Sequence, residues 1–143
     1  MTERHVDVVL LDTDVFSYLL RQGDSRADLY RPHVEGKKIA LSFVTVGELY
    51  SGAIKKNWAI ERLNLLEAQL RTVVIIPYDL EICKTYAKIK NELKTASGSS
   101  RVIGANDLWI AACAIRHRLP LITNNRQHFE GIPGLDVISE APA

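Results

Sequence analysis

The chain has 143 residues, a length at which one domain buries about two-thirds of the surface that the unfolded polypeptide exposes, so we expect a single domain over residues 1–143. Its 18 Lys and Arg nearly balance its 17 Asp and Glu, which excludes the broad basic field of a typical nucleic-acid binder and leaves any polyanion to be held locally. No apolar run approaches the roughly 20 residues that span a bilayer, and Cys83 and Cys113 are expected to be free thiols, so we expect a soluble, cytoplasmic protein.

Strand-like and helix-like segments alternate along the chain, which predicts an α/β fold. The first strand-like run, 6–11, is continuously apolar at its end, as is typical of a parallel strand covered on both faces. The small-residue segment 96–100 is expected to be a mobile surface loop that borders the functional site. The predicted strands are 6–11, 39–42, 73–76, 120–123 and 135–138, and the predicted helices are 15–20, 25–35, 44–55, 59–71, 80–95 and 106–118.

Three carboxylates stand where solvent should be scarce. Asp12 ends the first strand, and Glu48 and Asp107 lie in the first turns of predicted helices among apolar and small residues. The carboxyl ends of parallel strands meet at one edge of a sheet, so we expect the three acids to converge despite their distance in sequence. Carboxylates are costly to bury unless they are paired or bind a cation. The pattern therefore predicts a shared divalent metal and metal-assisted chemistry.

Each acid also has a purely structural interpretation. Capping of the helix after the first strand is the favoured interpretation of Asp14, whereas a ligand-binding role is favoured for Asp12. The segment Thr45-Val46-Gly47-Glu48 fits a capping box, in which the glutamate turns back to the helix start. Asp107 fits a first-turn charge that is favourable with the helix dipole. For Glu48 and Asp107 both interpretations stay open.

Four short segments occur in this order: Leu11-Asp12-Thr13, Gly47-Glu48-Leu49, Asn106-Asp107-Leu108-Trp109-Ile110-Ala111-Ala112, and Thr123-Asn124-Asn125 followed by Phe129. Together they resemble the motifs of the PIN-domain ribonucleases, and within them the VapC-type toxins of bacterial toxin–antitoxin systems. The resemblance covers nearly the whole chain. It implies a three-layer α/β/α sandwich around a mostly parallel sheet, a Mg²⁺ or Mn²⁺ cofactor held by acids, and hydrolysis of RNA.

By position, the resemblance implies catalytic roles for Asp12, Glu48 and Asp107, with Asp12 and Asp107 as the direct metal ligands. A nearby carboxylate would orient or deprotonate the attacking water, and we assign Glu48 to that role. The further candidate site residues are Thr13, Asn124 and Asn125.

Asn125 departs from the family pattern, which often has a fourth acid at this position. An amide can ligate a metal through its oxygen but adds no charge. We therefore expect one tightly held cation.

Other side chains offer little for a different chemistry. Arg126 and His128 follow the last site motif, and we expect them to be solvated loop residues. The histidines have no paired spacing and are expected at the surface, which argues against a zinc site; they are His5, His33, His117 and His128.

Two other functions stay open. The start of the chain also resembles the first motif of haloacid-dehalogenase-like phosphatases, in which Asp12 would be the nucleophile, Ser42 the phosphate-binding hydroxyl and Asp107 a metal-binding acid. Asn125 also leaves open a catalytically weak PIN module that binds RNA or a protein. The toxin resemblance implies an RNA substrate, a cognate antitoxin and a homodimer. Apolar residues on the helix 59–71 offer a surface for another chain.

Overall fold

Five short strands form one all-parallel sheet in the computed structural model, which describes residues 7–96 and 103–142. The strand order is β3-β2-β1-β4-β5, so β1 lies at the centre, with Leu10 beside Ala40 of β2 and Leu121 of β4. The strands are β1 Val8–Leu11, β2 Lys38–Ser42, β3 Val74–Ile76, β4 Leu121–Ile122 and β5 Val137–Ile138.

Seven helices in the described residues connect and cover these strands. They are α1 Thr13–Leu20, α2 Ser25–Val34, α3 Phe43–Lys55, α4 Ile60–Leu70, α5 Leu80–Ala96, α6 Ala105–His117 and α7 Arg126–Phe129. The first six lie within two residues of the predicted helices, whereas α7 was not predicted.

The last two strands are shorter than predicted. Pro120 has no N–H to contribute to the sheet, and the N–H of Leu135 closes a turn on Ile132. Val6 in the predicted first strand and residues 97–100 of the predicted loop lie outside the described residues.

Alternate strand residues enter two separate hydrophobic clusters. On one face Leu10 and Leu121 pack with residues of α5, α6 and α7, and on the other Leu11, Leu41 and Ile122 pack with residues of α1, α2 and α4. Both sheet faces are therefore buried, which explains why β1 is apolar throughout. The predicted α/β/α sandwich with its parallel sheet is confirmed.

The direction in which the sheet grows reverses at β1. The chain runs outward from β1 to β2 and β3, then returns to place β4 and β5 on the other side. In open parallel sheets, ligands bind beyond the carboxyl ends of the strands at such a reversal. Here that position is shared by Asp12, directly after β1, and Thr123, directly after β4.

Two expectations from composition also have an outcome. Cys83 and Cys113 are both free, and burial raises the pKa of Cys113 to about 12, as expected of an inert structural thiol. Within residues 7–96 and 103–142, no helix is long and apolar enough to cross a membrane.

Candidate metal centre

Asp12 is a buried carboxylate that joins β1 to the segment after β4. Asp12 is only 5% exposed to solvent. Oδ1 accepts a hydrogen bond from the Thr13 backbone N–H at 2.8 Å, and Oδ2 accepts one from the Thr123 hydroxyl at 2.7 Å. Among the ion pairs of the described residues, none includes Asp12. The charge of Asp12 is thus held by neutral donors only.

The electrostatic surroundings of Asp12 favour a cation. The pKa of Asp12 is raised from 3.8 to about 7, chiefly by burial and also by the charges of Asp14 and Asp107, whereas the hydrogen bonds from Thr123 and Thr13 lower it. A buried carboxylate with acidic neighbours is stabilised in its charged form when a cation binds. Hard divalent cations prefer such oxygen donors. The donor set therefore fits Mg²⁺ or Mn²⁺.

Glu48 does not form the capping box, which was one of the two interpretations that its sequence left open. Helix α3 begins at Phe43 and is capped by the Ser42 hydroxyl, which places Thr45 inside the helix rather than at its cap. The Glu48 carboxylate instead accepts a hydrogen bond from the Thr13 hydroxyl at 2.7 Å. The capping interpretation of Glu48 is wrong, because its side chain is directed to the residue that follows Asp12.

The cap of α1 is Asp12, not Asp14 as predicted. Asp14 lies in the first turn, where its Oδ1 accepts a hydrogen bond from the Val15 N–H at 2.6 Å and its Oδ2 accepts one from the Asn124 N–H at 3.1 Å. Burial raises the pKa of Asp14, and the charge of Asp107 adds to the rise. Asp14 is therefore an additional acid at this edge, and it ties α1 to the segment after β4.

Asp107 lies in the first turn of α6, as predicted, and its side chain is 22% exposed. Its Oδ2 is 2.8 Å from Nδ1 of His128 on α7. His128 is exposed but paired with Asp107, which differs from the solvated loop residue expected from the sequence. Arg126 also differs, because it is half-buried and donates to the Ser139 carbonyl at 2.7 Å.

The asparagines after β4 differ from each other. The Asn125 N–H donates to the Thr123 hydroxyl at 3.0 Å, and Asn125 itself is exposed. The Asn124 amide is engaged by two tyrosines, accepting from Tyr30 at 2.6 Å and donating to Tyr18 at 3.3 Å. Asn124 therefore contacts the acids through its backbone and not through its side chain.

The acids lie at one edge of the sheet, but their side chains do not form a preassembled metal site. Among the described residues, no three His, Cys, Asp or Glu side chains lie close enough together to hold a metal ion as they stand. Glu48 bonds to Thr13 and Asp107 to His128. Carboxylates repel one another, so a bound cation would have to draw these side chains inward.

Two residues of the site were not predicted as such from the sequence, namely Thr123 and Asp14. Thr123 is fully buried and is the direct donor to Asp12. The available signal was its place at the end of a strand, but using it required knowing that β4 is the neighbour of β1.

Residues 9–135 match the PIN domain family. The chain belongs to this family. The PIN domain is 32% identical over 126 residues to ribonuclease VapC2 of Haemophilus influenzae, across 88% of this chain and 92% of that protein. It is 33% identical over 129 residues to toxin FitB of Neisseria gonorrhoeae, across 85% of this chain and 91% of that protein. The resemblance seen in the sequence motifs is confirmed.

Solved structures give the same result. The PIN domain is similar to a chain of VapBC2 from Rickettsia felis bound to a DNA fragment from its promoter, with a TM-score of 0.78 and 28% identity over 92% of this chain and 98% of that one. VapBC-1 from nontypeable Haemophilus influenzae gives a TM-score of 0.77 at 29% identity, over 92% and 97%.

The phosphatase interpretation does not fit this PIN domain. Ser42, its phosphate-binding hydroxyl, is fully buried and caps α3. That interpretation also gives no role to Glu48, which is held beside Asp12 through Thr13.

Proposed function

We propose that this PIN domain is the endoribonuclease toxin of a VapBC-type toxin–antitoxin pair, and that it hydrolyses RNA with Mg²⁺ or Mn²⁺ held by Asp12 and Asp107. The observation that carries the proposal is the buried Asp12 carboxylate, which has neutral donors on both oxygens and acidic neighbours. The ribonuclease and toxin names of its relatives support the reaction.

The surrounding residues divide the work of such a site. A divalent cation, when bound, would supply positive charge for the scissile phosphate and lower the pKa of a bound water. Thr123 and the Thr13 N–H fix the orientation of the Asp12 carboxylate. Glu48, oriented by the Thr13 hydroxyl, accepts the proton of the attacking water at a carboxylate oxygen. Asp107 adds the second charged oxygen donor from α6.

A groove of about 700 Å³ extends from this site and is our candidate for the antitoxin surface. Thr13 and Glu48 line one end of the groove. Two basic residues also line it: Arg21, which directly follows α1, and Lys56, which directly follows α3. A third basic residue, Arg62, lines the groove as well. The apolar residues of its walls include Leu19, Leu20, Leu49, Ala53, Leu65 and Leu66. An antitoxin segment with apolar and acidic residues would fill this groove and cover Glu48.

We also propose a homodimer and a cytoplasmic location. Ile60 on α4 does not line the groove and is 64% exposed, which leaves apolar area for a second copy. The free thiols and the RNA substrate fit the cytoplasm.

The direct test is Mn²⁺-dependent cleavage of structured RNAs by the purified protein. Asp12→Asn, Glu48→Gln and Asp107→Asn should each lower the rate by about 100-fold or more, because each removes a group that acts on the phosphate or the water. Glu81→Gln and Asp136→Asn change exposed acids elsewhere and should stay within about twofold of wild type.

Four results would contradict the proposal. Cleavage that survives Asp12→Asn or needs no metal would refute the assigned site. Aryl phosphatase activity that survives Glu48→Gln but not Asp14→Asn would favour the phosphatase interpretation. Metal-dependent stabilisation without RNA cleavage would favour a binding module. Expression alone should arrest growth and Asp12→Ala should relieve it, so unimpaired growth with soluble wild-type protein would refute a toxin role.

A further inference from the structure

Tyr30 on α2 is fully buried. Its ring packs in the hydrophobic cluster that includes Leu11 and Leu41, while its hydroxyl forms hydrogen bonds with two segments that are distant in sequence. It donates to Oδ1 of Asn124, after β4, at 2.6 Å, and it accepts from the Glu140 N–H, after β5, at 3.1 Å. The Thr123 carbonyl lies 3.4 Å away as a weaker second acceptor. Phenylalanine would fill the same apolar space, so packing alone gives no reason for this hydroxyl.

Asn124 connects this hydroxyl to the acids. Its side chain is held by Tyr30 and Tyr18, while its backbone N–H donates to Asp14. The residue before it, Thr123, donates to Asp12. A shift of Asn124 would therefore move the donors of both carboxylates together.

The segment after β4 also contains an internal hydrogen bond. The Asn125 N–H donates to the Thr123 hydroxyl, whose proton is given to Asp12. This arrangement leaves the Thr123 hydroxyl one geometry that satisfies both neighbours. The geometry depends on the path of the backbone through Asn124, which is anchored by Tyr30.

We propose that Tyr30 is a positioning residue of the metal centre, which acts through Asn124 to fix residues 123–125 and so orients the Asp12 carboxylate. The inference rests on the proposed function only in that the acids bind a divalent cation. Tyr30 lies in the layer of α1 and α2 and touches neither metal nor substrate in this role. Burial raises the pKa of Tyr30, so its hydroxyl keeps the proton that it donates.

The test measures Mn²⁺ affinity without RNA, by calorimetry, for wild type, Tyr30→Phe, Asn124→Ala and the double variant. Groups that orient metal ligands typically contribute about 10-fold to 100-fold in metal affinity, so each single change should raise the Kd about 10-fold. The double variant should be no worse than either single variant, because both changes break one path. In RNA cleavage, kcat should fall while KM stays unchanged.

Tyr50→Phe is the matched control. It makes the same chemical change, the loss of a phenol hydroxyl that bonds to Glu67 between α3 and α4, but has no link to residues 123–125. Its Kd for Mn²⁺ should stay within about twofold of wild type. Asn124→Ala supplies the same readout should Tyr30→Phe fold poorly.

Unchanged Mn²⁺ affinity in Tyr30→Phe and Asn124→Ala would overturn the inference, as would an equal loss in Tyr50→Phe. A wild-type protein that binds Mn²⁺ but cleaves no RNA would refute the proposed function alone. The Mn²⁺ affinities of the variants would still decide the role of Tyr30.

Discussion

Replacing Asp12 by asparagine should stabilise the metal-free protein while abolishing its activity. The substitution keeps the shape of the side chain and removes its charge. Asparagine can still accept from the Thr13 N–H, but its amide nitrogen then faces the Thr123 hydroxyl, which loses its acceptor.

The magnitude follows from the position of Asp12. Its pKa is raised from 3.8 to about 7, chiefly by burial. Because one unit is worth about 1.4 kcal/mol, ionised Asp12 lowers the free energy of unfolding by about 4 kcal/mol above pH 7. The folded chain holds the proton more tightly than the unfolded chain, so this loss is absent below pH 3.8 and grows as the pH rises to about 7.

Loss of the acceptor for the Thr123 hydroxyl lowers the free energy of unfolding by about 1 kcal/mol. Asp12→Asn should therefore raise the free energy of unfolding by about 3 kcal/mol at pH 8 and by less than about 1 kcal/mol at pH 5. For a chain of this length 1 kcal/mol shifts the thermal midpoint by about 3 °C, so Tm should rise by about 9 °C at pH 8.

Thermal denaturation in chelator at pH 5 and pH 8, with and without Mn²⁺, measures these effects. Mn²⁺ should raise the Tm of wild type at pH 8 and leave the Tm of Asp12→Asn unchanged, since the variant lacks the proposed charged ligand. Asp7→Asn, which changes an exposed acid before the same strand, is the control and should shift Tm by less than about 1 °C. Equal destabilisation of Asp12→Asn at both pH values would contradict a cost of burying the ionised Asp12 carboxylate.

Three further substitutions test the neighbours of Asp12. Glu48→Gln should lower kcat by about 100-fold or more at unchanged KM for RNA, because it removes the proposed proton acceptor, and a rise in KM alone would contradict that role. Thr123→Val removes the donor to Asp12 and the acceptor for the Asn125 N–H, so urea denaturation should show a loss of about 1–3 kcal/mol; an unchanged free energy of unfolding would disprove these bonds. Asn125→Asp adds a further acid and should lower the Kd for Mn²⁺ in calorimetry by about threefold or more, whereas an unchanged Kd would place residue 125 outside the reach of the metal.

The central strand and the convergence of the acids could be predicted because they follow from strong local patterns. An apolar run that ends in Asp12 identifies a doubly covered strand and its carboxyl end. Asp107 and the alanines behind it identify the start of α6, where Ala111 and Ala114 are fully buried. Parallel topology then brings both acids to one edge.

The rest depends on contacts between segments that are distant in the chain. The capping box at Glu48 was a sound local motif, but Ser42 begins the helix earlier and Thr13 takes the carboxylate. Helix α7 is four residues long, too short for a periodic apolar pattern. The hydroxyl of Tyr30 acts at a partner 94 residues away, which no local pattern can indicate.

The pairing of β1 with β4 determines how late in the synthesis of the chain the contact between Asp12 and Thr123 can form. Asp12 and its donor Thr123 are 111 positions apart, and β4 emerges from the ribosome after β1, β2 and β3. At about 5–20 residues per second, about 6–20 s separate the synthesis of the two residues. During that interval the acid that ends β1 has no neighbour from β4. The contact that orients the Asp12 carboxylate therefore cannot form until late in the synthesis of the chain.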